Sequence, residues 1–243
     1  MGKCIEQIQP GLTHPVTRTL ESRLSELGKI ANIWTYPVKS LHRVEHDVVA
    51  VQEDGLAGDR RAALYVNSEH ARNGKTYRGK ENNHLHMIVE PDQARNSAES
   101  RGVDVEVRAG ARYFDEGAVS LILDRWIEEV ERALGKPLDP LRWRPNFYVR
   151  SLAIFKEEDL VGKHVALGSV VLVVRKPIGR CVTTTYDQIT GESDPDVLGF
   201  VARERDNRMG VYCDVERPGE VRRGDAVRVI SPASGVPQPR VRA

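Results

Sequence analysis

Val165-Ala166-Leu167-Gly168-Ser169-Val170-Val171-Leu172-Val173-Val174 is followed at once by Arg175-Lys176-Pro177-Ile178-Gly179-Arg180-Cys181. The first stretch reads as one or two apolar strands around a Gly-Ser turn. Pro177 and Gly179 then break the run, which predicts that Cys181 sits at the end of a buried strand and not in mid-sheet. Arg180, Lys176 and Arg175 surround the sulfur with positive charge, the setting that favours thiolate over thiol and so suits a reactive or metal-binding cysteine. The competing reading is a small buried hydrophobe, the usual fate of cysteine.

Working outward, other short strands are predicted at Ile30–Trp34, Asp47–Gln52, Ala62–Val66, Leu85–Val89, Phe147–Val149, Gly210–Val215 and Ala226–Ile230, with Asp54-Gly55, Gly219 and Gly224-Asp225 as turns. One strong helix is expected over Val119–Leu134, because Leu123, Trp126, Ile127, Val130 and Leu134 share a face and Gly135 and Pro137 follow. A second is expected from Asp194-Pro195 to about Arg203, and a short amphipathic one at Thr17–Leu27 ahead of Gly28. Residues 67–83 are polar and glycine-bearing and read as a long loop, the kind that borders sites. The pattern predicts a mainly β, α+β fold whose sheet closes into a barrel, with a few helices.

Lys and Arg number 36 against 35 Asp and Glu in 243 residues, so no global charge draws the chain to nucleic acid or to an anionic membrane. No apolar run approaches the roughly 20 residues that span a bilayer. Met1-Gly2-Lys3-Cys4 opens without the apolar core of a secretory signal, and the three cysteines are scattered, so a reducing cytoplasmic setting without a disulfide framework is expected. Cys213 alternates with Val211 and Val215 and is expected in the core, and Cys4 lies in the leader. His84 and His86 are expected to share a strand face as exposed polar residues, with no third ligand at a recognised metal spacing.

Three further segments place cationic and hydrogen-bonding groups beside proline or glycine at strand boundaries: Tyr36-Pro37-Val38-Lys39-Ser40, Gly58-Asp59-Arg60-Arg61 and Arg142-Trp143-Arg144-Pro145-Asn146. Guanidinium forks in such positions suit a phosphate or an anionic heterocycle, although each segment alone also reads as a solvated turn. Taken in order with Arg180-Cys181-Val182-Thr183-Thr184-Thr185-Tyr186-Asp187, Thr190-Gly191-Glu192 and Gly224-Asp225-Ala226-Val227, they make the chain resemble the MOSC family, the molybdenum-cofactor sulfurase C-terminal domain proteins. The resemblance spans about Lys29 to Ile230 and is to the branch with the N-terminal β-barrel region found in the mitochondrial amidoxime reducing component.

The resemblance implies residues 29–110 as an N-terminal β region and 111–231 as the MOSC domain, between an extension at 1–28 and a disordered tail at 232–243. It implies Cys181 as the ligand to molybdenum, and Lys39, Ser40, Arg60, Arg144 and Asn146, with Arg180 adjacent, as contacts to the pterin and its phosphate. Asp187 recurs in the family pattern as an acid behind the metal or facing the substrate, or merely as the start of a turn. Two departures stand out: Gly179 replaces a frequent serine, and Asp124 takes the place of a small hydroxyl residue at the start of the central helix, which predicts repulsion toward a phosphate. The implied activity is reduction of N-hydroxylated or related oxygen-bearing small molecules. Electrons would come from a separate donor protein, because three scattered cysteines cannot build a four-cysteine iron–sulfur site. Two alternatives use the same residues: a carrier of persulfide sulfur on Cys181, and a non-catalytic carrier of the cofactor.

Overall fold

The apolar run around Gly168 forms a β-hairpin, β9 (His164–Leu167) and β10 (Val170–Gly179), in the computed structural model, which describes residues 26–67 and 72–230. Val170, Val171, Leu172 and Val174 are all buried. β10 pairs along its length with β11 (Arg208–Arg217), and β11 pairs with β7 (Val119–Leu123). β8 (Phe147–Ser151) lies parallel to β7, then β1 (Glu26–Thr35) runs antiparallel to β8. The sheet closes because β13 (Ala226–Ile230) bridges β9 and β1, giving a seven-stranded barrel in the order β13-β9-β10-β11-β7-β8-β1. Closure removes both free edges of the sheet.

β7 and β8, the one parallel pair among the described strands, need a crossover, and the helix α2 (Asp124–Leu134) supplies it. Its buried face is Trp126, Ile127 and Val130, each worth roughly 1.5–3 kcal/mol of burial. Gly135 ends it in the left-handed region at φ 68°, where its N–H donates to the Glu131 carbonyl. The predicted helix over Val119–Leu134 is therefore half right. Val119 to Leu123 are buried at five consecutive positions, which fits a strand covered on both faces, and the leucines at helical spacing concealed this.

A smaller part of the chain stands beside the barrel. β5 (Ala62–Val66) pairs with β6 (Val105–Ala109), and the helix α1 (Pro91–Glu99) packs Ala94 and Ala98 onto them. Leu64, Val66, Tyr77 and Leu85 complete this second core. Three short strands, β3 (Val48–Gln52), β4 (Gly55–Leu56) and β12 (Gly219–Arg222), form a further sheet, and β2 (Val44–His46) pairs antiparallel with the end of β1. The remaining helices are α3 (Glu157–Leu160) and α4 (Pro195–Glu204), the latter starting where Asp194-Pro195 predicted.

The expected strand at Leu85–Val89 is instead a single 3-10 turn over Leu85–Met87, and Val89 is exposed. His84 and His86 accordingly share no strand face. The expected helix at Thr17–Leu27 lies outside the described residues up to position 25, and Leu27 and Gly28 belong to β1. Gly28 marks no helix end. A Cβ there would stand 2.2 Å from the Arg150 carbonyl oxygen, so glycine is what lets β1 approach β8. The expected tail at 232–243 is also outside the described residues. Among the described residues no helix is long and apolar enough to cross a membrane.

Candidate functional site

β10 ends at Gly179, and Cys181 follows as the residue preceding a 3-10 turn, Val182–Thr185. The predicted strand-end position of the sulfur is what the structure has. Cys181 is half-buried, and its Sγ lies 3.1 Å from Thr183 Oγ1. Cys213 faces the core with no exposure, where burial pushes its thiol pKa up, so of the two described cysteines, both free, only Cys181 reaches a cavity.

That cavity has a volume of about 370 Å³. Lys39, Ser40, Arg60, Arg144, Arg180 and Cys181 all line it, although they come from opposite ends of the sequence. The tally of charge is one-sided: seven cationic side chains line it against two carboxylates, Asp115 and Glu116. Such a surplus in a partly desolvated space favours an anionic occupant.

The backbone of the cradle is strained into place. Ser40, Arg60 and Arg144 have φ values of 72°, 47° and 49°, so three of the six described non-glycine residues in the left-handed region line this one cavity. Each costs on the order of 1 kcal/mol and persists only because neighbours enforce it. Asp59, fully buried, is the enforcer. Its carboxylate accepts from the Tyr36 N–H at 2.7 Å, from Asn146 Nδ2 at 3.1 Å and from the Arg60 guanidinium.

Tyr36 is held between two cations, with Arg144 4.1 Å and Arg60 5.0 Å from its ring centroid. Burial pushes the Tyr36 phenol up to about 12, and its O–H donates to the Pro145 carbonyl at 3.1 Å. Desolvation holds Arg144 and Arg180 down at about 10, still charged at neutral pH. Burial opposes the charge on Arg60 too, but Asp59 and Tyr36 outweigh it and its pKa is raised. Arg180 spends its guanidinium on carbonyls, Nη1 donating to Trp143 at 2.8 Å and Nε to Met209 at 2.8 Å, while Arg144 Nη2 donates to Leu41 at 2.8 Å.

Asn146 and Asp187 are not among the lining residues. Asn146 is buried behind the cradle: its amide donates to the Trp34 carbonyl at 3.1 Å and to Asp59, and its Oδ1 accepts from Ser120 N–H at 3.0 Å and Ser120 Oγ at 2.9 Å. Asp187 Oδ1 accepts from the backbone of Ile189 and Thr190 at 2.9 and 3.0 Å, which with Arg142 lowers its pKa, and its Oδ2 accepts from Arg142 at 3.0 Å. Both oxygens are thus engaged, one by the turn and one by Arg142.

Asp124 does not face the cavity as the sequence predicts. Its Oδ1 accepts from the N–H groups of Arg125 and Ser151, both at 2.8 Å, and it is Ser120, four residues earlier, that brings a hydroxyl residue to the cavity wall. At Gly179 a Cβ would meet nothing within 4 Å, so the absence of a serine there reflects no crowding.

Nothing in the sequence assigns a role at the site to Arg78, Gly79, Lys80, His86, Thr183 or Tyr212, yet all six line the cavity. The first three come from the 67–83 loop, whose length and polarity are the one signal available. His86 Nε2 donates to the Asp187 carbonyl at 2.8 Å, and burial holds the ring at a pKa of about 4, so it is neutral. Among the described residues no group of three or more His, Cys, Asp or Glu converges, so a metal held here would have one protein sulfur and take its other ligands from elsewhere.

The MOSC domain profile matches residues 102–228. No curated protein matches the chain significantly. Among solved structures, the YUAD protein from Bacillus subtilis is similar at a TM-score of 0.53 with 19% identity, covering 83% of this chain and 94% of that one. A hypothetical protein is similar at a TM-score of 0.50 with 12% identity, covering 87% and 71%. YiiM from Escherichia coli reaches a TM-score of 0.46 with 12% identity over 86% and 73%. At these identities the first two speak for the fold, a closed barrel of the same kind. With the profile covering more than half of the sequence, and with the cysteine turn, the Arg-Pro-Asn element and the start of the last barrel strand inside the matched span, this chain belongs to the MOSC domain family.

Proposed function

We propose that this protein holds the molybdenum cofactor in the cavity, with Cys181 as the protein's ligand to the metal, and reduces N-hydroxylated or related oxygen-bearing substrates. The observation that carries the reading is the gathering of Lys39, Arg60, Arg144 and Arg180 around one half-buried thiol. Association of MOSC domains with this cofactor supports it. The substrate class rests on the resemblance to the amidoxime-reducing branch.

The residues present fit the group. A lone thiolate suits a soft metal whose other sulfur ligands belong to the cofactor. Lys39, Arg60 and Arg144 are the cations for a pterin phosphate, Ser40 adds a hydroxyl, and Tyr36 braces two of the guanidiniums from behind. Asn146 serves through Asp59 and Ser120, by fixing the backbone of the cradle. Asp187 fixes Arg142 and the turn after the cysteine. When bound, the cofactor supplies two-electron redox chemistry at a sulfur-rich metal centre. In the substrate the N–O bond breaks, two electrons and two protons are taken up, and the oxygen leaves as water. The electrons come from a separate protein donor, and a free, half-exposed thiol suits the reducing cytoplasm.

The test is metal analysis of protein made in a host with an intact cofactor pathway. Molybdenum approaching one per chain, pterin fluorescence and turnover with a reduced viologen are expected, and all are lost in Cys181→Ser. A labile extra sulfur on Cys181 without molybdenum would replace this reading with a persulfide carrier, and bound cofactor with no turnover under any donor would make the protein a cofactor carrier.

A further inference from the structure

Resting on that reading, we propose that Arg78 and Lys80 form an anion-selecting wall beside the sulfur, so that the preferred substrates carry a carboxylate or phosphate in addition to the reducible N–O group. The two side chains come from the loop outside the barrel and line the same cavity as Cys181. Gly79 between them is pressed against the cysteine turn: a Cβ there would stand 2.8 Å from Thr183 Cγ2, and Thr183 is the residue whose hydroxyl lies 3.1 Å from Cys181 Sγ. Arg78 and Lys80 therefore flank the reacting end of the cavity.

What sets these two cations apart is that neither side chain donates a hydrogen bond or has a close carboxylate among the described residues, so their donors are open to a ligand. Lys39 is paired with Asp115, Arg60 with Asp59 and Arg142 with Asp187, while Arg144 and Arg180 donate to backbone carbonyls. Arg78 has only Glu81 at 3.6 Å, which is shared with Arg72, and its Nε is buried with no hydrogen-bond partner. Lys80 pairs with no carboxylate among the described residues. A buried guanidinium N–H without an acceptor is destabilising, and an oxyanion between the two side chains would give both cations a charged partner.

Residues 78–86 are also tied down. The Arg78 N–H donates to Glu81 Oε2 at 2.9 Å, Asn83 Nδ2 donates to the Gly191 carbonyl at 2.9 Å, and His86 donates to the Asp187 carbonyl at 2.8 Å. Both contacts beyond the loop are to the segment that follows Cys181. A solvated charged turn would have no such docking.

An oxyanion at this wall could belong to the substrate or to the cofactor, and the experiment separates them. Arg78→Ala/Lys80→Ala is compared with the parent for molybdenum and pterin content, for kcat/KM toward 4-carboxybenzamidoxime and benzamidoxime with reduced methyl viologen, and for calorimetric binding of both compounds. The ratio of kcat/KM for the carboxylated over the neutral compound is expected to fall about tenfold, and binding of the carboxylated compound to weaken about tenfold, at parental molybdenum content. Loss of molybdenum and pterin in the variant would assign these cations to the cofactor and overturn the proposal. An unchanged ratio with unchanged binding would overturn it equally. If the parent turns over neither compound, the reductase reading fails, and the calorimetric comparison alone decides the wall. Lys80→Glu, at an exposed side chain, repeats the test should the double variant misfold.

Discussion

Asn146 Nδ2 and Asp59 Oδ2 meet at 3.1 Å in the interior of the protein, 87 residues apart in sequence. This bond joins the Arg-Pro-Asn element to the Gly-Asp-Arg turn and so fixes Arg144 relative to Arg60. Removing the amide would leave the Ser120 N–H and the Trp34 carbonyl without their buried partner and Asp59 with one donor fewer. Asn146→Ala is expected to cost about 3 kcal/mol of stability, read as a lowered urea midpoint, and to lower molybdenum content in whatever protein folds.

Cys181 and Cys213 should separate cleanly in chemistry. Burial raises the Cys213 thiol pKa and leaves it no exposure, so iodoacetamide is expected to modify Cys181 and spare Cys213 in the folded protein. Cys181→Ser should retain the parental thermal midpoint within a degree or two. Cys213→Ala should lose on the order of 1 kcal/mol, from the cavity it opens in the core. Labelling at Cys213 in native protein would show that β11 opens far more readily than its burial implies.

His86 gives the fold a pH dependence. Burial holds its pKa at about 4, below the ordinary value of 6.5, so between those limits the unfolded chain takes up a proton that the folded chain refuses. Stability is therefore expected to fall as pH drops from about 6.5 to about 4, by as much as about 3 kcal/mol, and to be insensitive to this group above that window. His86→Gln can still donate to the Asp187 carbonyl, and should flatten that part of the curve when denaturation midpoints are compared across pH.

Gly28→Ala tests the close approach of β1 and β8. The added methyl would meet a backbone carbonyl oxygen at 2.2 Å, and backbone cannot swing aside as a side chain can. A loss of about 3 kcal/mol or more is expected, with increased hydrogen exchange concentrated in β1 and β8. A parental melting curve would mean that the seam is looser than it is drawn.

The barrel strands whose apolar runs are short and bracketed by turn residues could be read from the sequence, as at Val170–Val174 and Ala226–Ile230. Reading failed where one pattern served two structures. Leu121 and Leu123 sit at spacings compatible with the helix that follows them, so the strand β7 was absorbed into α2. α1 escaped because it buries only two alanines, Ala94 and Ala98, and presents almost no apolar stripe. At the site, the cationic residues beside proline and glycine were legible because their type carries their chemistry. Tyr36, Asp59 and Ser120 were not, because their roles arise from partners more than 20 residues away in sequence. Arg78 and Lys80 were hidden for the same reason, lying in a loop whose docking onto the cysteine turn no local pattern announces.

The pairing of β1 with β13, which aligns Lys29 with Ala226, sets an order of events during synthesis. The first barrel strand to leave the ribosome cannot find its second neighbour until the last has been translated. Until then the nascent sheet carries two raw edges, along β9 and along the start of β1 that β2 does not cover, each able to recruit a strand from another chain. A product stalled or truncated before Ala226 would thus be trapped as an open, adhesive intermediate, and the yield of soluble protein in a cell should respond to chaperone supply and to the speed with which the codons of β13 are read.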